Sequence, residues 1–191
     1  MKASFIICLL CWISLSACGV SESVPSGKTA AEILGNPDYP AIAYGGFRDI
    51  TRDSVPSVEQ IKEDLKILHA LGFRLLRTYN TTHYPHTGRL LEAIRVLKAE
   101  NRDFEMYLMM GAWISCKDAW TAKPDHSAED IANSTAEIEG AVALANAYPD
   151  IVKIIAVGNE AMVHWAASYF VVPEIILKWV NHLQEMKRAG T

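Results

Sequence analysis

Polar and aromatic residues stand where four apolar runs of the chain stop. Such apolar runs are typical of parallel strands that are covered on both faces, and the carboxyl ends of these strands form the ligand-binding edge of a sheet. Aromatic rings can pack against the apolar faces of a sugar, while amides and a guanidinium group can bind its hydroxyls. The pattern therefore predicts a carbohydrate cleft that is lined by Tyr44, Arg77, Tyr79, Trp113 and Asn159.

Glu160 has the clearest chemical potential, because it closely follows a run of apolar and strand-forming residues. A carboxyl group at the mouth of a buried strand is expected to be partly desolvated, which would raise its pKa toward the range of a general acid. The neighbouring Asn159 would contact the 2-hydroxyl of a sugar, and this contact can strengthen in the transition state. The alternative interpretation is that the Asn-Glu pair only starts a loop and caps the next helix.

The elements that must position these residues alternate after residue 40. Short apolar runs are followed by longer helical patterns four times, which predicts a parallel sheet built from βα units. The expected strands are Ala41 to Gly46, Arg74 to Tyr79, Glu105 to Gly111 and Val152 to Val157. The expected helices are Ser57 to Gly72, a second that follows Thr87, Ser127 to Ala147, and Pro173 to Gly190.

Four βα units make half of a (β/α)₈ barrel, and a complete barrel typically needs about 250 residues. The expected fold class is therefore α/β, with residues 41–191 forming the N-terminal half of a TIM barrel. The competing architecture is a complete doubly wound sheet of four or five strands. No glycine-rich turn of the G-x-G-x-x-G kind follows any expected strand, which disfavours a dinucleotide-binding version of that sheet.

The N-terminus predicts export and a lipid anchor. Residues 1–17 combine a lysine, an apolar run and small residues, as a signal peptide does. The sequence around Cys18 resembles the bacterial lipobox, so Cys18 is the expected lipidation site; an ordinary signal peptide with a chance cysteine is the alternative. Residues 18–40 have the composition of a flexible tether. We expect attachment to the bacterial cell envelope, with the outer membrane as the favoured compartment.

Charge and ligand types narrow the partners. The chain has 18 Lys and Arg against 22 Asp and Glu, a net charge of −4, and its basic residues are scattered, so nucleic acid is not an expected partner. His83 and His86 could contribute to a metal site, but the sequence offers no evident third ligand, and hydrogen bonding at the cleft rim is the favoured role. No metal and no cofactor are predicted, and the expected partners are a polysaccharide and, through Cys18, a membrane.

Three stretches carry a resemblance to a known family. They are Ala43-Tyr44-Gly45, Leu76-Arg77-Thr78-Tyr79 and, above all, Ile155-Ala156-Val157-Gly158-Asn159-Glu160. From about residue 41 to the end, the chain resembles the family 17 glycoside hydrolases, which are retaining β-1,3-glucanases with a (β/α)₈ barrel. The resemblance implies that Glu160 is the general acid/base and that Asn159, Arg77 and Tyr79 line the donor-sugar subsite.

The same resemblance implies a second carboxylate. The nucleophile of the family is a glutamate at the end of the seventh strand, which would lie beyond Thr191. The 191-residue chain by itself is therefore expected to be inactive, because retaining hydrolysis requires two carboxyl groups. Whether the complete protein is a hydrolase or a β-glucanosyltransferase stays open at this point. The rival from another class is a non-catalytic glycan-binding lipoprotein.

Overall fold

The computed structural model describes residues 27–83 and 85–190, and Cys18 with the expected signal peptide lies outside these residues. The helices are α1 (Ala30–Ile33), α2 (Val58–Ala70), α3 (His86–Glu100), α4 (Ile131–Ala147) and α5 (Pro173–Ala189). The strands are β1 (Ala41–Ala43), β2 (Leu75–Arg77), β3 (Tyr107–Ala112), β4 (Cys116–Lys117), β5 (Asp125–Glu129) and β6 (Val152–Val157).

The main sheet has four parallel strands in the order β1, β2, β3, β6. This confirms the expected parallel α/β arrangement. Strand β6 has the predicted bounds, whereas β1 and β2 are shorter than predicted. Backbone hydrogen bonds nevertheless continue past the assigned ends: the Tyr44 N–H donates to the Arg77 carbonyl at 2.9 Å, and the Gly158 N–H donates to the Ala112 carbonyl at 2.8 Å. The strand ends therefore stay aligned at one edge of the sheet.

The two faces of the sheet are covered differently. The face with Leu76, Leu108 and Met110 belongs to the large apolar core that the helices complete. The opposite face carries a small cluster in which Ile33 packs with Leu75 and Tyr107. Ile33 is 1% exposed, although it lies in the segment that we expected to be a tether. The packed part of the protein therefore includes residues before Tyr39.

Capping residues fix the helix bounds. The Ser57 side chain accepts a hydrogen bond from the Gln60 N–H, and Gln60 reciprocates, so the predicted capping box begins α2. Helix α4 begins later than predicted, because Asp130 caps it and residues 125–129 pair with β4 in an antiparallel hairpin. The apolar Ile131 in the first turn of α4 is 64% exposed.

Strands β1 and β6 form the edges of the described sheet. Beside β6, a cavity of about 510 Å³ lies between α4, α5 and the strand. The apolar side chains of Val180, Leu183 and Met186 on α5 line this cavity and are half-buried. None of the helices in the described ranges is long and apolar enough to cross a membrane.

Candidate functional site

Arg77, Tyr79 and Asn159 come together at the carboxyl edge of the sheet, as the sequence predicts. The Arg77 guanidinium donates to the Asn159 amide oxygen at 3.0 Å and lies 5.2 Å from the centre of the Tyr79 ring. Arg77 is in register with Ala43 and Met109, on the face of the sheet that is opposite the main helix layer. Asn159 is 8% exposed. The guanidinium therefore links the end of β2 to the residues that follow β6.

Close packing of the backbone holds Tyr79 in place. At Gly111, any Cβ atom would lie 2.5 Å from the Tyr79 carbonyl carbon, so only glycine allows β3 to approach the end of β2 this closely. Gly158 has a φ of 78°, and a Cβ there would lie 2.9 Å from Ile176. Both glycines are needed for the position of the neighbouring site residues.

Glu160 differs from its prediction in one respect. Its side chain is exposed, so the expected desolvation of the carboxyl group is wrong for the described structure. The backbone of Glu160 has a φ of 53°, in the left-handed region that non-glycine residues seldom adopt. Strained backbone of this kind clusters at functional sites. Glu160 thus follows the strand as predicted, but on a turn that presents its side chain to solvent.

Tyr44 has a different environment from the one predicted. It is 8% exposed, and its hydroxyl donates to the Asp64 carboxylate on α2 at 2.9 Å. Burial, together with the charge of Asp64, raises the pKa of Tyr44. Because Arg48 also binds Asp64, at 2.7 Å, this group ties the end of β1 to the helix layer. The proton of the Tyr44 hydroxyl is therefore committed to Asp64 rather than to a ligand in the cleft.

Trp113 lies in a group of aromatic rings beyond β3. Its ring centre is 4.9 Å from that of Tyr169, 5.9 Å from that of Trp120 and 6.4 Å from that of His83. The ring is half-buried. Trp113 therefore occupies the predicted edge of the sheet, beside rings from the segments that follow β2, β4 and β6.

Glu137 is the residue that sequence reasoning missed. Its side chain is fully buried, and its carboxylate accepts hydrogen bonds from backbone N–H groups of Thr81, Thr82, His83 and Trp113 at 2.8 to 3.1 Å. The hydroxyls of Thr81 and Thr82 also donate to it. One carboxylate on α4 thereby fixes the loops that follow both β2 and β3.

The charge of Glu137 is stabilised by these contacts. Burial acts to raise the pKa of Glu137, but the hydrogen bonds from Thr82, Thr81 and Trp113 outweigh it and the pKa is lowered. The sequence did contain a signal: Glu137 is next to Ile138 and four residues before Ala141, both buried on the inward face of α4. A charged residue on an apolar helix face indicates a buried polar network.

The described structure gives the two loop histidines separate environments. His83 is exposed and stacks near Trp113, whereas His86 is 2% exposed, with its ring centre 5.2 Å from that of Phe47. Residues 27–83 and 85–190 contain no group of three or more side chains that could hold a metal ion.

Comparison with known proteins finds a similar solved structure. No family model matches the chain, and no curated protein matches it. The crystal structure of an endo-laminarinase from Formosa Hel1_33_131 matches with a TM-score of 0.81 and 60% sequence identity, over 85% of this chain. The chain spans 41% of the length of that endo-laminarinase. It is therefore similar in sequence and fold to a glucanase over most of its own length, and it corresponds to less than half of that enzyme.

Proposed function

We propose that the complete protein hydrolyses β-1,3-linked glucan by a retaining mechanism in which Glu160 is the general acid/base. The observation that carries this proposal is the 60% identity and shared fold with an endo-laminarinase, since laminarin is a β-1,3-glucan. The family 17 resemblance of the Val-Gly-Asn-Glu stretch supports the same reaction and assigns the acid/base role to Glu160.

In the proposed reaction, Glu160 first donates a proton to the departing glycosidic oxygen. A second carboxylate attacks the anomeric carbon and forms the glycosyl-enzyme, and Glu160 then removes a proton from the incoming water. The nucleophile would come from a part of the barrel beyond Thr191. We therefore expect residues 1–191 alone to bind glucan without hydrolysing it.

The contact between Arg77 and Asn159 gives Asn159 a defined role in this proposal. Because the amide oxygen of Asn159 accepts from Arg77 at 3.0 Å, its two N–H groups remain to donate toward a sugar hydroxyl. The Tyr79 ring beside the guanidinium would form a wall of the same subsite. The polar groups are thus oriented before the sugar arrives, which reduces the entropic cost of binding.

The proposed barrel explains the open edge at β6. Within residues 27–83 and 85–190 no strand pairs with the outer edge of β6, and Val180, Leu183 and Met186 of α5 line the cavity beside it. A fifth βα unit that pairs with β6 would cover those side chains and satisfy the free backbone groups of the edge. The described four-stranded sheet is, in this proposal, the N-terminal half of a (β/α)₈ barrel.

Two other functions could use the same residues. A β-glucanosyltransferase would use the same first step, with a sugar hydroxyl replacing water in the second. The exposure of Glu160 is the observation that supports the alternative of a non-catalytic glycan-binding lipoprotein, because an exposed carboxylate can serve as a simple hydrogen-bond acceptor. For all three activities we propose a lipid anchor at Cys18 and a place in the bacterial cell envelope.

A chimera tests the proposed activity. The matching part of this chain replaces the corresponding part of the Formosa endo-laminarinase, and release of reducing ends from laminarin is measured beside the 191-residue chain. We expect the chimera to hydrolyse laminarin and the 191-residue chain to be inactive. A folded chimera without activity, or hydrolysis by the short chain, would contradict the proposal. Transfer products longer than the added oligosaccharide would identify the glucanosyltransferase instead.

A further inference from the structure

A second pocket lies beside the predicted cleft, between the loop that follows β3 and the start of α4. Its volume is about 320 Å³, at the lower end of the range for small-molecule sites. Trp113 and Trp120 line it together with polar residues from the β4–β5 hairpin region and α4. We call this cavity the tryptophan pocket. Trp113 also borders the candidate cleft, so the pocket adjoins the cleft without including Glu160.

Trp120 is held as a flat, accessible platform. Its ring centre lies 5.9 Å from that of Trp113 and 5.5 Å from that of Tyr169, and the Tyr169 ring meets it edge-on at 77°. The amide and hydroxyl of Thr121 both donate to the Asp118 carbonyl, which closes the turn that presents Trp120. Despite these contacts Trp120 is 62% exposed. An exposed ring that is fixed on one side is suited to stack on a ligand with the other.

The polar groups of the tryptophan pocket are mainly hydrogen-bond acceptors. Asp118 and Asp130 contribute carboxylates, and the Asn133 amide nitrogen donates to the Ser115 hydroxyl at 3.1 Å, which leaves the Asn133 amide oxygen as an acceptor. No lysine or arginine is among the described residues that line it, and His83 is the one described lining residue that can carry a positive charge, against the two carboxylates. An anionic ligand would therefore be repelled, whereas the hydroxyls of a neutral sugar can donate to these oxygens.

The ring arrangement also disfavours an organic cation. A site for a quaternary ammonium group surrounds the cation with aromatic faces. Here Trp113, Trp120 and Tyr169 pack against one another, with centres 4.9 to 5.9 Å apart, and do not enclose a space. One open indole face with acceptors around it fits a pyranose ring.

We propose that the tryptophan pocket binds one neutral pyranose unit of the glucan at a position outside the cleft that contains Glu160. The unit belongs to the same polysaccharide chain or to a branch of it. The inference rests on the proposed function for the identity of the polysaccharide. It adds a contact that retains the polymer and takes no part in bond cleavage.

Calorimetric titration with laminarihexaose of the laminarinase chimera that carries this chain, made inactive by Glu160→Gln, tests this site. Trp120→Ala is expected to weaken binding roughly tenfold, because a stacked ring of this kind contributes about that factor. Trp120→Phe keeps a flat ring and should stay within about threefold of the parent chain. Ile67→Ala is the control, since Ile67 is 60% exposed on α2 and is not among the residues that line the pocket; it should leave binding unchanged. Thermal unfolding of each variant checks that it is folded. Asp118→Ala removes one carboxylate of the pocket and is a second pocket variant that should also weaken binding.

The outcomes separate the pocket from the proposed activity. Unchanged binding by both Trp120→Ala and Asp118→Ala would overturn the pocket, while an active chimera would leave the role of Glu160 standing. If the chimera hydrolyses laminarin but its inactive form binds no laminarihexaose, the pocket alone is again wrong. If neither binding nor hydrolysis occurs, both proposals fail. Trp120-dependent binding of choline chloride in place of laminarihexaose would replace the sugar site with a cation site.

Discussion

The two halves of the predicted cleft are built in different ways. The loops after β2 and β3 are fixed by the buried carboxylate of Glu137, which accepts hydrogen bonds from four backbone N–H groups. The segment after β6 carries the exposed Glu160 on a left-handed turn. A hydrogen bond joins the two ends of this segment, because the Val171 N–H donates to the Ala161 carbonyl at 2.9 Å. Between those ends, Met162 and Trp165 are 55% and 85% exposed.

This difference indicates that the two halves of the predicted cleft have different roles. In the proposed function, the half that is held by Glu137 would present a fixed surface to a sugar, while the proposed acid/base stands on an exposed turn that further parts of a barrel would cover. Glu137 thus stabilises loops, whereas Glu160 is proposed to act in catalysis. Substitution of Glu137 should therefore lower stability, and substitution of Glu160 should lower activity.

Replacement of Glu137 should have the largest effect on the comparison. Glu137→Gln introduces amide hydrogens that face backbone N–H donors, and several buried donors then lose their acceptor. We expect a loss of about 3 kcal/mol in the free energy of unfolding, measured in urea. Glu139→Gln is the control, since Glu139 is exposed on the same helix. A loss below about 0.5 kcal/mol in Glu137→Gln would show that the carboxylate does not hold the loops.

The same carboxylate should make stability depend on pH. The hydrogen bonds of the folded state lower the pKa of Glu137. The stabilisation that the ionised carboxylate gives to the folded state is therefore fully present above the pKa of the unfolded chain, about 4.3. This contribution is lost as the pH falls through the folded pKa. The difference in unfolding free energy between the parent chain and Glu137→Gln should thus shrink between pH 7 and pH 3. A constant difference over that interval would argue against an ionised Glu137.

The contact between Arg77 and Asn159 joins the two halves, and a double-mutant cycle measures its strength. With Arg77→Met and Asn159→Ala, we expect a coupling of about 1.5 kcal/mol in unfolding free energy, as for a hydrogen bond to a charged group. Additive effects of the two substitutions would mean that the halves are independent.

The smallest effect is expected at Tyr44. Tyr44→Phe removes the hydrogen bond to Asp64, but Arg48 still binds that carboxylate. A loss of about 1 kcal/mol in unfolding free energy is expected, with binding of laminarihexaose unchanged. Weaker glucan binding by a fully stable Tyr44→Phe protein would restore the original prediction that Tyr44 contacts sugar.

The sequence predicted the parallel sheet well because covered strands and capped helices leave strong local patterns, as at β6 and at the Ser57 capping box. It also placed Arg77, Tyr79 and Asn159 together, since the carboxyl ends of parallel strands meet at one edge. Local patterns do not reveal partners that are distant in the chain. The role of Glu137 depends on Thr81 and Trp113, and the burial of Ile33 depends on Leu75 and Tyr107.

Side-chain exposure was also beyond the sequence. The buried position of Tyr44 follows from strand alternation and from Asp64 on α2, and the exposure of Glu160 follows from the left-handed turn after Gly158. Neither the burial of Tyr44 nor the exposure of Glu160 can be recognised from the residue types at the strand ends. The hairpin of residues 116–129 was missed because Asp125 to Glu129 is polar and reads as the start of a helix.

The most direct measurement concerns the proposed acid role of Glu160 in the laminarinase chimera. Turnover of laminarin is compared with the pre-steady-state burst of dinitrophenolate from a dinitrophenyl laminarioside, whose leaving group needs no proton. Glu160→Gln should lower laminarin hydrolysis by about 10² to 10⁴-fold and should affect formation of the glycosyl-enzyme from the activated substrate far less. An equal loss in laminarin hydrolysis and in the rate of the dinitrophenolate burst, or no loss on laminarin, would contradict the assignment of Glu160 as the general acid/base.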